Sequence, residues 1–533
     1  MVSGRPFRSP PGEPALLVSA VPLAVAAIAV ALGVWRVMPG VAFWDTGEFQ
    51  TVPPILGTAH PTGYPTYVIL GWLASAILTP IGEPALRMNV LSAVFVGIAA
   101  GVTVPLVRRL TGSTLLGAVA GLGLAATPIV WSIGTHADPH ALHLAFVAII
   151  LWLLVRWEDA RFEDPSRADR WLVAAAAATG LSIGNHSLTF LLGLPIGLYV
   201  LAVEPEILRR RRFIGQCVAA VVIPLVLVYL ELPIRGGAIP GLEAPLVYGD
   251  PSTLGGFVYV ATGEQFRGGL NDPFGELSRK FADLVALAAG QYGPLAIGVL
   301  AGFLVTAIRH PAYALLTGTA VAITCFFNSA YVNADLARYY LGPALIAWTW
   351  LAILAATAAE VVSGAVSGRS RASSATRERR RGLADPVRLA AFALAAGLLI
   401  GPTVAALGER ATIVDRTLDL SAGRWLDAVL AELAPDAVLV SWWSYSTPLW
   451  YAQHIEGRRT DITIVDDRTR LDQHLGDVTD VIDRNLAIRP VYVIRADSAE
   501  LEGLRARYIL SALPTAGGGN VYRVTPATTG TRP

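Results

Sequence analysis

Long apolar runs separated by short polar or arginine-bearing stretches set the plan of this chain. The runs cover residues 16–35, 89–107, 114–131, 140–155, 171–183, 188–203, 213–230, 284–308, 312–332, 340–362 and 387–407. A helix crosses the hydrocarbon layer with about 20 apolar residues, so the pattern predicts about 11 transmembrane helices. The pair 171–183 and 188–203 is short for this purpose. The first run follows Arg5 and Arg8, as a secretory signal would, but passes into Arg36-Val37-Met38-Pro39 without a small-x-small cleavage site. It reads as a retained first helix. Beyond Leu407 the pattern changes to short apolar stretches at 437–441, 461–465, 491–495 and 521–524. Between them, 424–433, 447–455, 472–485 and 499–510 carry helical patterning. Alternating strands and helices predict a small α/β domain with a mostly parallel sheet. No glycine-rich phosphate loop follows any of these strands, so a nucleotide site is not expected there.

Charge placement orients the helices. Only 15% of the 533 residues are charged and 54% are hydrophobic, against roughly 25% charged in a soluble protein. The net charge of +1 gives no footprint for nucleic acid. Lys280 is the sole lysine, so arginine carries the positive charge. Both cysteines, Cys217 and Cys325, fall in apolar segments, which argues against a disulfide framework or a structural zinc site. The N-terminus, Arg108-Arg109, Arg156 to Arg170, Arg209 to Arg212, Arg309 and Arg369 to Arg381 form clusters expected on the cytoplasmic side. They agree with one another only if the apolar stretch 64–78 does not cross, which makes it a juxtamembrane or re-entrant helix in the first outer loop. The expected domains are then a membrane body over 1–407 and a soluble extracytoplasmic domain over 408–533. Within the body lie a first outer loop at 39–87, a large outer loop at 231–283 and a basic cytoplasmic linker at 364–385. This describes a multi-pass protein of the plasma membrane, with a cytoplasmic N-terminus and an outer C-terminal domain.

The outer loops hold most of the polar residues that lack an obvious structural role. Seven of the eight histidines fall there, at the loops' helix ends or in the terminal domain: His60, His136, His140, His143, His186, His454 and His474. Ionisable groups at a membrane are costly, and their gathering on one side points to function. The densest constellation is Trp44-Asp45-Thr46-Gly47-Glu48-Phe49-Gln50, followed by His60-Pro61-Thr62-Gly63-Tyr64-Pro65. Asp45 and Glu48 are three apart, so one helical face carries both carboxylates. Such a pair suits general-base work on a hydroxyl, and the same spacing also fits a capping box. In His136-Ala137-Asp138-Pro139-His140, with His143, the ligand types suit a divalent metal, but the spacing lacks the usual i, i+4 pair and a further ligand. A hydrogen-bonded histidine cluster near a phosphate is the reading preferred; no cofactor is assigned. Asn185-His186 sits in a tight outer turn, fitted either to sugar hydroxyls or to helix capping.

These residues resemble a known family. The stretches Trp44 to Phe49 and His60 to Pro65 look like the signature of the protein O-mannosyltransferase-like multi-pass membrane proteins, formerly a domain of unknown function. Tyr248-Gly249-Asp250-Pro251-Ser252-Thr253 and Thr262-Gly263-Glu264-Gln265-Phe266-Arg267 add a second match. The likeness covers about the first 270 residues. In the terminal domain, Ser441-Trp442-Trp443-Ser444-Tyr445-Ser446-Thr447-Pro448-Leu449-Trp450 resembles bacterial relatives without an assigned role.

The resemblance implies a GT-C glycosyltransferase: a polytopic α-helical body with the active site under the outer leaflet. It implies a donor sugar, mannose being one candidate, on polyprenyl phosphate, and an extracytoplasmic acceptor, whether a protein Ser/Thr hydroxyl, a cell-envelope glycan or a lipid. Asp45 matches the first-loop acid of that class, with Glu48 beside it, and Asp138 is the candidate second acid. Arginine meets phosphate oxygens in bidentate fashion, so Arg338, Arg267, Arg235 and Arg87 are the outer candidates, Arg338 first. His60, Tyr64, His136, His186 and Asn185 complete the expected donor site. Two other classes compete: a transporter or flippase of lipid-linked sugars, for which no internal repeat is visible, and a membrane-anchored ligand sensor. Trp442, Trp443, Tyr445 and Trp450 fit either a carbohydrate-stacking surface or core packing.

Overall fold

The computed structural model describes residues 15–332, 335–369, 386–514 and 520–527. The N-terminal arginines and most of the basic linker lie outside them. Eight helices among the described residues are long and apolar enough to cross a membrane. They are Val18–Trp35, Pro84–Thr111, Pro139–Glu163, Arg211–Ala238, Leu277–Arg309, Pro311–Ala330, Leu336–Val366 and Pro386–Ala405. The other three expected spans fall on shorter or more polar helices. The run at 114–131 divides into Thr114–Ala125 and Pro128–Ile133, because a residue before proline is driven out of the helical region and Thr127 is extended. The run at 171–183 lies in Pro165–Asn185, whose first turns carry Arg167, Asp169 and Arg170. The run at 188–203 falls in the short apolar stretch Ser187–Val203. The stretch at 64–78 forms Pro65–Ile77, with 13 residues. At 1.5 Å per residue it extends about 20 Å, short of the roughly 30 Å hydrocarbon layer.

The chain divides into two units. The first comprises Met1–Val37, Ser92–Val228 and Phe266–Asp415. Its helices meet through small residues, as helices in lipid do. A Cβ on Gly123 would lie 2.3 Å from the Trp348 ring, so glycine lets that indole seat and donate to Thr127 Oγ1 at 2.8 Å. Proline starts many of these helices, including Pro128–Ile133, Pro139–Glu163 and Pro311–Ala330, where its missing N–H costs nothing. Large aliphatic side chains such as Ile297 and Ile308 point outward, as lipid-facing residues do.

The second unit comprises Met38–Leu91, Tyr229–Gln265 and Arg416–Pro533. Its terminal part is a five-stranded sheet of β1 (Val438–Val440), β2 (Thr463–Val465), β3 (Val491–Ile494), β4 (Tyr508–Ala512) and β5 (Val521–Pro526). The order is β2-β1-β3-β5-β4. β1 pairs in parallel with β2 and β3, while β5 runs antiparallel between β3 and β4. The sheet is therefore mixed rather than mostly parallel. The expected helix 499–510 stops at Arg505, and its last residues become β4.

Successive residues of β1 and β3 alternate between two cores. Val438, Val440, Val491 and Val493 face one, with Val481, Leu504 and Val524. Leu439, Tyr492 and Ile494 face the other, with Trp425, Leu449 and Tyr451. Both faces are covered, which is why these strands read as continuous apolar runs. The second core also takes in Val41 and Ala85 from the loop at 39–87. That loop thus shares a hydrophobic core with the terminal sheet.

Candidate functional site

In the second unit the first-loop motif forms the helix Trp44–Thr51. The chain enters it from Phe43, wedged edge-on between Trp425 and Tyr445 at centroid distances of 5.4 and 5.3 Å. Phe43 is the N-cap residue, and no side chain caps the helix. The capping-box alternative for Asp45 and Glu48 therefore does not apply. Gln50 and Asn89 hold the approach in place. Gln50 accepts from Ala42 N at 2.8 Å and donates to Gly40 O and Asn89 Oδ1, while Asn89 donates to Met38 O. Gly47 is required by space: a Cβ there would lie 2.2 Å from Ala42 O and 2.7 Å from Thr447 Oγ1.

The two carboxylates have different surroundings. Glu48 is wholly buried. One oxygen accepts the His60 backbone N–H at 2.9 Å and the other faces His60 Nδ1. Because a carboxylate only accepts, Nδ1 carries the proton. Nε2 is then the acceptor for the Tyr64 hydroxyl at 3.1 Å. Phe49 packs against His60, Tyr64 and Tyr67. Asp45 is only partly buried, next to the exposed Trp44. His60 and Tyr64, expected at the donor, are thus joined to Glu48 in one buried network.

That network reaches two motifs far away in sequence. Trp443 stands edge-on to His60 at 5.7 Å, and its Nε1 donates to Tyr248 Oη at 2.6 Å. Burial, then the charges of Glu48 and Asp466, push the Tyr248 phenol well above its ordinary value. Arg468 lies over the Tyr248 and Tyr259 rings at 5.2 and 5.0 Å. It donates to Tyr259 Oη and Gln265 Oε1 and pairs with Asp472. Tyr248, Tyr259, Gln265, Trp443 and Arg468 therefore belong to one polar assembly. Sequence reading did not find Gln50, Asn89, Tyr248, Trp443 or Arg468 as partners. Polar residues isolated among apolar ones were the available signal for Gln50 and Asn89.

The arginine candidates separate clearly. Arg235 gives its donors to Leu56 O, Leu242 O and Ile55 O, and Arg87 to Gly82 O and Ser75 O. Both are structural ties. Arg267 falls in the turn Glu264–Gly269, and its side chain lies outside the described residues.

In the first unit Asp138 caps the helix Pro139–Glu163. Its Oδ1 accepts from both His140 N and His140 Nδ1 at 2.7 Å. Its Oδ2 faces Arg338 Nη1 at 3.8 Å and His136 Nε2 at 3.9 Å. Burial alone would raise the Asp138 carboxyl, but His140, Arg338 and His136 together hold it well below the usual carboxylate range. The His140 and His186 rings lie 4.4 Å apart, with Tyr339 5.3 and 6.0 Å from them. His186 Nδ1 accepts from Leu188 N, which leaves Nε2 as its protonated nitrogen when neutral. Burial, followed by His140, His143 and Arg338, lowers the His186 imidazole. Asn185 donates to Pro139 O at 3.1 Å, fixing the turn to the next helix. His140 Nε2 is buried without a hydrogen-bond partner. A small open hollow adjoins this cluster, lined by His143, Tyr339, Val147, Leu188, Leu192 and Ile346. Among the described residues, no group of three or more His, Cys, Asp or Glu is arranged to hold a metal ion.

Residues 45–208 match the model of the protein O-mannosyl-transferase TMEM260 N-terminal domain. The mouse protein O-mannosyl-transferase TMEM260 is 30% identical over 234 residues, which are 42% of this chain and 30% of the mouse protein. The Dictyostelium discoideum protein of the same name is 21% identical over 174 residues, 31% of this chain and 21% of that protein. The match thus spans under a third of these relatives' length. Among solved structures, ArnT from Cupriavidus metallidurans bound to undecaprenyl phosphate superposes with a TM-score of 0.59 at 17% identity, covering 98% of this chain and all of ArnT. The oligosaccharyltransferase AglB from Archaeoglobus fulgidus, in complex with an inhibitory peptide and a dolichol-phosphate, gives 0.53 at 14% identity over 97% of this chain and 75% of AglB. The chain has the GT-C fold, and over its N-terminal motif region it is similar to the protein O-mannosyl-transferase TMEM260 family.

Proposed function

We propose that the chain is a membrane glycosyltransferase that moves a sugar from a polyprenyl-phosphate donor to an extracytoplasmic hydroxyl. The observation that carries this reading is the first-loop motif. Its residues build a buried Glu48–His60–Tyr64 network and leave Asp45, in the same helix, partly exposed. Asp45 is assigned proton removal from the acceptor hydroxyl. The hydroxyl oxygen bonds to the sugar's anomeric carbon as the carbon–oxygen bond to phosphate breaks. The electron pair leaves with the lipid phosphate. Glu48 fixes the His60 tautomer and acts as a positioning residue. The donor phosphate is assigned to Arg338, with His140 and His186, because these are nitrogen-rich groups beside an apolar-lined cavity. Asp138 holds Arg338 and His140 in place through its two carboxylate oxygens. Mannose as the sugar and a protein Ser/Thr hydroxyl as the acceptor are part of this proposal, supported by the names of the O-mannosyl-transferase relatives.

The test is sugar transfer by purified protein in detergent, supplied with polyprenyl-phosphate sugars, for wild type and Asp45→Asn. A loss of about a hundredfold or more is expected if Asp45 is the base. Equal turnover would remove Asp45 from that role, and no turnover with any donor would favour the transporter or sensor. We also place loops 39–87 and 231–283 and the C-terminal domain outside the plasma membrane, with the N-terminus inside. A cysteine introduced at Glu83 should then label from the outside of intact cells.

A further inference from the structure

Two tryptophans in the second unit touch neighbouring rings, Trp44 those of Trp442 and Trp443 and Trp442 that of Tyr445, yet keep much of their surface in solvent. In the terminal stretch Ser441–Trp450, Trp450 is buried, Tyr445 packs on Trp425 and Phe43, and Trp443 bonds Tyr248. Trp442 instead stays 37% exposed. Its ring stands edge-on to Trp44, with centroids 5.5 Å apart and planes at 77°. Trp44 is 53% exposed and has φ of 59°, in the left-handed region that an L-residue with a Cβ occupies only at a cost. Phe43 is anchored on one side of it and Gly47 on Thr447 on the other. The loop is therefore held in a strained conformation that keeps a large apolar ring in solvent. Neither the strain nor the exposure contributes to folding.

We propose that Trp44 and Trp442 form a two-walled aromatic notch that stacks on a pyranose ring. An indole face is electron-rich and attracts the polarised C–H groups on one face of a sugar, and rings set at a wide angle enclose it from two sides. Asp45 follows Trp44 in the chain and is partly exposed, so the notch lies next in sequence to the acid assigned to the acceptor hydroxyl. This assignment rests on the transferase reading. The pyranose belongs either to the donor or to a glycan acceptor.

The experiment uses the full chain in detergent as wild type, Trp44→Ala, Trp442→Ala, and the Trp44→Phe and Trp442→Phe variants, which keep an aromatic face. Steady-state transfer is measured alongside thermal melting. Each alanine variant should raise one KM about tenfold with melting unchanged, and the phenylalanine variants should fall between. A rise in the donor KM identifies the donor sugar, and a rise confined to the acceptor KM identifies a glycan acceptor. KM values within about twofold of wild type in an active enzyme overturn the notch and leave the transferase reading intact. If wild type transfers no sugar, that reading fails, and saturation-transfer NMR with methyl hexopyranosides decides the notch separately. Contacts seen in wild type and lost in both alanine variants support it. Their absence in wild type overturns it and leaves an interfacial aromatic anchor.

Discussion

Glu48 and Asp45 sit three residues apart in different surroundings, one buried and one partly exposed. The sequence spacing put both on one helical face, and nothing in it distinguished a buried carboxylate from a partly exposed one. The distinction comes from His60, whose backbone N–H and ring nitrogen both meet Glu48. Replacing Glu48 by alanine strands both donors in the interior, at about 1–3 kcal/mol each. Glu48→Gln keeps an oxygen for one of them. Melting in detergent should rank wild type above Glu48→Gln and Glu48→Gln above Glu48→Ala; equal melting for the two variants would contradict the assigned network. In the first unit, burial and nearby cations depress the His186 imidazole. As pH falls below about 6.5, the unfolded ring takes up a proton that the folded ring refuses, so stability declines. The decline belongs to the window below that value. His186→Gln should flatten the pH dependence of melting there, and an unaltered slope would show that His186 does not contribute.

At the scale of elements, the spans were legible because a membrane enforces long apolar runs, and eight of them meet length and composition together. The three that do not, at 114–131, 171–183 and 188–203, are interrupted by Pro128, early charges or short length. The terminal strands were legible as apolar runs because both sheet faces are covered. β4 was not, since Tyr508 to Ala512 continues a helical pattern without a break and its pairing with β5 is decided by residues ten or more positions away. The helix Trp44–Thr51 was visible in outline, but its support was not: Gly47 meets Thr447 across a separation no local pattern encodes. Gly47→Ala drives a methyl into backbone Ala42 O, an overpacking cost of about 1–3 kcal/mol. It should lower melting and transfer together. A variant melting like wild type would show that the loop has room the structure does not provide.

At the scale of the molecule, the motifs at 44–49 and 60–65 fall within or beside the matched stretch 45–208, and the GT-C likeness extends over nearly the whole chain. What the sequence left open was the role of the terminal domain. Its aromatic stretch serves several purposes at once: Trp450 and Tyr445 fill the interior, Trp443 adjoins His60, and Trp442 meets Trp44. Composition is the same in all three settings, so only placement separates them. A chain ending before Ser421 would lack the residues that cover Val41, Phe43 and Ala85. Residues 38–91 should then be cut by protease at sites that the full chain protects; equal protection in both would show that the loop folds alone.

The shared core of loop and terminal sheet also sets a timetable. Ala85 N bonds Tyr451 Oη across 366 positions, and at about 5–20 residues per second the ribosome needs roughly 20–70 seconds to make the chain between them. Through that interval Val41, Phe43 and Ala85 lack the terminal residues that cover them. On the proposed transferase reading, competence for transfer follows only near the end of synthesis.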